Sequence, residues 1–497
     1  MWLILLGLIF TLLAIWMRKV YTFWSKNGIP GPRPMPLVGN FGKSFIGAVH
    51  AGDILTDAYR KYADYPFFGM YRNLTPLLVI RDPEFIKTVL VKNFKNFHDN
   101  DIEVDKEVDP IIGRNPFMMK GTEWRNKRAQ LTSCFTSGKI KGMYPFLQRN
   151  AERMVKYIED ESKLSKYGLD AREVCVRFTL NNVASCAFGI EGKAFDEESP
   201  DFKKLADRFI SPDGVTKYVW LLFFLSPELI KKFKLKLIPK DVEDRLFEIV
   251  RKTLKFRKEN NVVLNDFLDV VSNLPTEHGL FSDIDIVSHA ASFFGDGYET
   301  SHRVMSFLLF ELASNSDVQE KLRNEIDDAL AETNGQFTYE LIHDNKYLDA
   351  CWNESLRKNS IVHALIKVCT EDFSYTSTNP EFKPLSVNIK VGDSIQIPIR
   401  GLNMDAKYFE EPDKFMPERF LNDTPINKYA FLAFGEGPRA CLGIRFAQTQ
   451  IKVGVAYIIK HYKLTVSSKT QLPLKYDPNY FMRHAIGGLW VHFEKIQ

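Results

Sequence analysis

Cys441 stands in a loop that reads Phe434-Gly435-Glu436-Gly437-Pro438-Arg439-Ala440-Cys441-Leu442-Gly443. Thiolate is the nucleophilic and metal-ligating form of cysteine, and both a nearby cation and a helix N-terminus favour it. Arg439 supplies a cation two residues upstream. Downstream, Ile444, Ala447, Ile451, Val455 and Ile458 recur at helical spacing through Lys460, so Cys441 falls at or just before a helix start. The glycines allow the backbone to approach something flat and bulky, Pro438 stiffens the loop, and Phe434 offers an apolar wall.

Three chemistries are open to such a cysteine: an axial thiolate on a haem iron, a nucleophile served by a histidine base, or a structural residue packed in a turn. Cys134, Cys175, Cys186, Cys351 and Cys369 are scattered, no C-x-x-C pair occurs, and the histidines lack H-x-x-x-H spacing. A zinc ribbon or thioredoxin-like site is therefore not expected, and few scattered cysteines suit a reducing compartment.

A second segment has the composition to face such a loop. From Asp283 to Ala313 the pattern is helical and apolar on nearly every face in its middle, a length of about 45 Å, which predicts a helix buried through the centre of the fold. Its middle reads Phe293-Phe294-Gly295-Asp296-Gly297-Tyr298-Glu299-Thr300-Ser301. Two glycines there cost ~1 kcal/mol each relative to alanine, which a flat group approaching the backbone would explain. Thr300 has a hydroxyl able to bond back to a carbonyl and open the helix locally. A carboxylate at Asp296 is expensive if buried unpaired, so a partner is expected for it.

Three further groupings are suggestive. Glu354 and Arg357 lie three apart on one helical face, ordinarily a weak surface pair, and Arg419 follows in Pro417-Glu418-Arg419-Phe420. Trp124 and Arg128 sit at i and i+4. Lys367 lies within Lys367-Val368-Cys369.

Together these motifs resemble the cytochrome P450 superfamily: Phe-x-x-Gly-x-Arg-x-Cys-x-Gly resembles its haem-binding signature, and small-Gly-x-Glu-Thr its oxygen-binding motif. The resemblance implies a mainly α fold with small β-sheets and a long central helix crossing the haem. It implies heme b with Cys441 as the axial metal ligand, Thr300 and Glu299 steering protons, and Glu354, Arg357 and Arg419 as a structural cluster. Trp124, Arg128 and Lys367 would serve the haem propionates, while Arg439, Phe434, Gly437, Gly297 and Asp296 complete the cofactor contacts. Lys367 stands where relatives usually carry arginine, keeping the charge but losing the fork. Asn359-Ser360 replaces the usual Pro-Pro. Asp296 replaces the usual alanine; it is expected to touch the haem edge or a basic substrate, with an ester to a haem methyl as the less favoured outcome. Gly113-Arg114-Asn115 and Ala184-Ser185-Cys186-Ala187-Phe188-Gly189-Ile190 look most like insect members of the xenobiotic-metabolising branch.

The implied reaction is insertion of one oxygen atom into an apolar small molecule. Electrons from NADPH would arrive through a separate flavoprotein, cytochrome P450 reductase, with cytochrome b5 as a further donor, since the chain lacks a G-x-G-x-x-G nucleotide motif. Arg125, Lys127, Lys139, Lys141 and Arg445 are candidate contacts for it, or an ordinary solvated basic face. A haem-thiolate isomerase and a haem-based sensor are the rival readings; Glu299-Thr300 argues against the first.

The rest of the chain must position these groups. Its 497 residues show no dividing linker or repeat after residue 40, so residues 41–497 read as one catalytic domain; a net charge of +4 does not indicate nucleic-acid binding. Trp2–Met17 is apolar, with Arg18 and Lys19 following; 1–24 reads as an uncleaved anchor rather than a signal peptide. The positive-inside rule then puts the domain on the cytosolic side, at the endoplasmic reticulum membrane by resemblance. Residues 25–40 read as a stiff proline-rich hinge. Tyr218–Leu225, with Lys231, Lys232, Lys234 and Lys236 behind it, reads equally as a second membrane contact or a buried helix. A hairpin is expected over Phe67–Arg81, a helix from Asp82-Pro83, and strands at Phe373–Tyr375, Leu385–Lys390, Ser394–Pro398 and Leu472–Leu474. Pocket walls are expected from His98–Phe117, Phe209–Leu225, Ile361–Ile366 and Phe481–Ile486.

Overall fold

The expected central helix forms as Asp283–Ser314. Ser282 caps it, its side chain accepting from the Asp285 backbone N–H, and Asp283 and Asp285 place negative charge on its first turn. The computed structural model describes residues 2–196, 201–210, 215–276, 279–421 and 426–496. Among them, the central helix packs most extensively on the helix Ala171–Val183 and also meets the helices Lys346–Lys358 and Ile444–His461. Its residues are buried on almost every side from Ile286 to Leu312. Burial of a helix on all faces matches its sequence, which lacks a polar stripe.

Helices carry most of the fold and the sheets are small. The largest has four strands in the order Phe67–Arg72, Thr75–Ile80, Ser394–Ile397, Leu365–Val368. The expected hairpin is present, turning at Asn73 with φ of 54°, and Thr75–Ile80 runs parallel to Ser394–Ile397. Asp82 caps the helix Pro83–Lys87 as expected. Phe373–Thr376 and Ser386–Ile389 pair as a separate hairpin. Leu472–Leu474 forms no strand. Pro473 has no N–H to give a ladder, and the polar residues around the segment supply no alternation to bury. The C-terminal strand pair Tyr462–Val466 and Trp490–Lys495 takes Leu169–Asp170 as its third strand.

The N-terminal segment is a helix, Trp2–Tyr21. Among the described residues no helix is long and apolar enough to cross a membrane. Trp2, Ile4, Leu5, Leu8, Leu12, Ile15 and Trp16 nevertheless expose large apolar side chains along it.

The proline-rich segment is docked rather than free. Trp24 is buried and its indole N–H donates to the Met70 carbonyl at 2.8 Å. The Gly69 N–H donates to the Pro30 carbonyl at 2.8 Å. Backbone of Gly31 lies so close to Gly69 that a Cβ on Gly31 would stand 1.9 Å from the Gly69 carbonyl oxygen. The stiffness read from the prolines is thus used to lay the segment against the outer strand of the sheet.

Candidate functional site

Cys441 sits two residues before Gly443, which caps the helix Ile444–His461, close to the expected start. Its backbone N–H donates to the Phe434 carbonyl at 2.8 Å, closing the loop on itself. Gly437 is held at φ of 76°, and a Cβ there would meet the Leu90 carbonyl oxygen at 2.1 Å. We expect Gly437→Ala to cost ~1–3 kcal/mol, combining left-handed strain with a backbone clash. Thermal unfolding checks this against Gly142→Ala, where a helical glycine has open space around its Cβ position and the same change is neutral or stabilising.

Arg439 clamps the loop. Its Nε donates to the His98 carbonyl at 2.7 Å, Nη1 to the Pro116 carbonyl at 3.1 Å, and Nη2 to Asp99 Oδ1 at 3.1 Å and the Met119 carbonyl at 2.8 Å. Its guanidinium lies 4.0 Å from the centre of the buried Trp124 ring. Arg128 Nη2 donates to the Ala440 carbonyl at 2.7 Å. The described bonds of both arginines therefore go to protein, joining the loop to the 98–119 segment and to the helix Gly121–Thr132. Lys367 is buried on the strand Leu365–Val368, and its ammonium donates to Asn100 Oδ1 at 3.0 Å. Burial, and next the Arg439 charge, push its pKa down to about 7.

Five cysteines are buried, whereas Cys441 has accessible surface. It is nonetheless deep among protein atoms, and burial pushes its thiol up to about 11, opposed by the Gly443 N–H and Arg128 and reinforced by the Asp296 charge. A side chain both accessible and deep borders an interior space. Asp296 is the same: accessible, yet with burial pushing its carboxyl up to about 6, opposed by one hydrogen bond from Asn115 Nδ2 at 3.1 Å. The Asp296 charge acts on the Cys441 thiol, so the two groups lie within electrostatic range of one another. Thr300 lies one turn beyond Asp296, and its hydroxyl donates to the Asp296 carbonyl at 2.6 Å, the back-bond expected from its sequence.

Glu299 is directed elsewhere. It is buried, and Arg303 Nε donates to its Oε1 at 2.9 Å. Arg303 Nη1 continues to the Arg483 carbonyl at 3.2 Å and to His484 Nδ1 at 3.0 Å. Sequence reasoning passed over Arg303 although its i, i+4 spacing from Glu299 is a recognised pairing distance. The two glycines also differ from expectation. A Cβ on Gly295 would strike the Phe209 ring at 2.5 Å, and one on Gly297 would press on Phe293 at 3.2 Å and Val183 at 3.4 Å. At Gly295 the missing side chain admits the Phe209 ring.

The Glu354 cluster assembles in full. Arg357 Nε and Nη2 donate to the two Glu354 oxygens at 2.7 and 2.8 Å, and Arg419 Nε reaches Glu354 Oε1 at 3.2 Å. Arg357 also donates to the carbonyls of Asn403 at 2.9 Å and Lys414 at 3.1 Å. Asn359-Ser360 is built in: Asn359 Nδ2 donates to Glu311 at 2.8 Å, and Ser360 Oγ accepts from Asn403 Nδ2 at 2.8 Å. Of the basic candidates, Lys127 is paired to Asp285 at 3.2 Å and Lys141 to Glu340, while Arg125 and Arg445 are exposed.

Haem fits this site on three observations. The thiol of Cys441 borders an interior space, Lys367 is a buried amine whose described side-chain partner is a neutral amide, and Asp296 of the central helix acts electrostatically on the thiol. Among the described residues no group of three histidine, cysteine or acidic side chains could hold a metal ion. A cation at the sulfur lowers a thiol pKa and converts it to thiolate.

A separate cleft of about 640 Å³, counting its open mouth, is lined by Leu221, Phe224, Leu225, His363, Ile366, Phe481 and others. Three of the four expected wall segments contribute to it; His98–Phe117 does not, and 211–214 lie outside the described residues. Leu221, Phe224 and Leu225 come from the helix Val215–Leu225, which covers the expected second membrane contact; Phe223 is buried while Tyr218 is exposed.

A family profile described as Cytochrome P450 matches residues 29–491. Probable cytochrome P450 6a23 of Drosophila melanogaster is 35% identical over 504 residues, covering 99% of this chain and 98% of the relative. Probable cytochrome P450 6a20 of the same organism is 33% identical over 506 residues, covering 99% of each. Cytochrome P450 6j1 of Blattella germanica is 32% identical over 486 residues, covering 97% of this chain and 95% of the relative.

Proposed function

The chain belongs to the cytochrome P450 family of haem-thiolate monooxygenases, and from that premise we propose that it oxygenates an apolar small molecule, a xenobiotic or an endogenous lipid, hormone or terpenoid, using electrons that a separate reductase draws from NADPH. The observation that carries this reading is the accessible Cys441 thiol beside the start of the helix Ile444–His461, within electrostatic range of Asp296 on the central helix. Bound haem supplies the oxygen chemistry, one atom going to substrate and the other to water.

This chain's own residues hold and serve it. Cys441 provides the thiolate, favoured by the helix that starts at Ile444. Lys367 and Arg128 offer positive charge at the cofactor's rim. Thr300 holds a hydroxyl proton on the central helix, steadied by its bond to the Asp296 carbonyl. Glu299, locked to Arg303, acts as a positioning residue that fixes this turn of the helix. The apolar cleft beside the helix Val215–Leu225 is the proposed entry for substrate. The exposed apolar side chains of Trp2–Tyr21 support an N-terminal membrane anchor, residues 1–24, with residues 41–497 as one domain on the cytosolic face of the endoplasmic reticulum.

Reconstitution with P450 reductase and NADPH tests the reading across lipids, steroids, terpenoids and insecticides. Oxygenated product that depends on the reductase is expected. A haem-loaded protein that consumes no NADPH through the reductase with any of these would overturn it. With a substrate in hand, Thr300→Val should lower the product formed per NADPH about tenfold or more, while Thr300→Ser retains most of it.

A further inference from the structure

We propose that Asp296 is the recognition residue for a cationic nitrogen, so that this enzyme takes an apolar substrate bearing a positively charged amine. The inference deepens the monooxygenase reading and rests on it. Its starting point is how four other deep carboxylates of the fold are treated. Glu299 lies against Arg303, Glu354 against Arg357 and Arg419, and Asp266 against Arg257. Asp109, fully buried, instead accepts from the backbone N–H groups of Ile112, Leu237 and Ile238. Each is answered by an arginine or by several backbone donors, as removal of a carboxylate from water demands.

Asp296 is answered by neither. Its Oδ2 accepts one hydrogen bond, from the neutral Asn115 amide at 3.1 Å, and Oδ1 has no partner among the described residues. Burial is the main influence on its carboxyl and no lysine or arginine acts on it. Asn115 itself is fixed, its Oδ1 accepting from the Phe117 N–H at 2.8 Å, so it orients the carboxylate and cannot neutralise it. The carboxylate surface is accessible and lies within electrostatic range of Cys441. A cation arriving there with its apolar body satisfies a deep acid whose described partner is a single neutral amide.

The test uses the full-length holoenzyme and two probes, an alkyl-trimethylammonium ion and its neutral isostere with carbon in place of nitrogen. Neither has a lone pair, so neither ligates the iron, and binding is read from the haem absorbance. The wild type should bind the cation about tenfold or more tighter than the isostere, and Asp296→Asn should bring the ratio near one with isostere affinity unchanged. No cation preference in the wild type, or a preference that survives Asp296→Asn, overturns the proposal. If the Asn variant fails to take up haem, Asp296→Ser gives the same readout. A protein lacking a thiolate-haem spectrum defeats the monooxygenase reading itself; a normal spectrum with ligand shifts but no cation preference defeats only this inference.

Discussion

Cys441→Ser is expected to abolish the thiolate signature of the reduced, carbon monoxide-bound protein and all reductase-dependent oxygenation. The loss should exceed the ~10–100-fold typical of residues that merely support a metal ligand. The side chain is the one accessible cysteine, lies next to the N-terminus of Ile444–His461, and has the Gly443 N–H directed at its sulfur. Serine keeps the size and the loop geometry but has no thiolate to offer. Folding should therefore be nearly unaffected, which separates this effect from a structural one. The measurements are haem content, the carbon monoxide difference spectrum, product formation and thermal unfolding of the same preparation. Wild-type activity in the serine variant would remove the thiolate from the mechanism.

The second large effect falls on stability. Glu354 and Arg357 are both wholly buried, and each uses most of its hydrogen-bonding capacity on the other and on backbone. Removing one member strands a charge in the interior. Arg357→Met should cost ~3–5 kcal/mol. Glu354→Ala should be worse, since it strands both Arg357 and Arg419. The double variant Glu354→Met with Arg357→Met should lose less than the sum of the two single costs, the sign of direct coupling. Unfolding midpoints and the fraction of protein that retains haem report the outcome. Additive losses would show that the pair is held by its surroundings rather than by its own attraction.

The two helices that frame the site could be read from sequence to within a residue at the ends, for opposite reasons. Asp283–Ser314 is apolar on every face and begins at a serine cap. Ile444–His461 has a clean stripe after a glycine. Both signals are local. What the sequence hid was long-range. Asn100 and Asn115 hold Lys367 and Asp296 across separations of 267 and 181 residues, and the local sequence shows neither pairing. The roles of Gly295 and Gly297 were hidden for the same reason, because Phe209 and Val183 arrive from other helices. Leu365–Val368 is difficult in another way: a strand with lysine at a buried position breaks the alternation that reveals strands. Arg303 is different again. Its spacing from Glu299 was legible, and only the structure gives the consequence, a carboxylate held in a buried ion pair.

Trp24, Pro30 and Gly31 rivet the chain to the strand Phe67–Arg72 immediately after the exposed N-terminal helix. On a bilayer this joint would act as a stiff bracket rather than a leash. The catalytic body could spin about the membrane normal and drift sideways, but it could not roll freely. Torque on the helix would pass through the Trp24 indole into the four-stranded sheet. Cutting that joint, by Trp24→Ala for example, would release a tilt coordinate and leave the interior around Cys441 untouched.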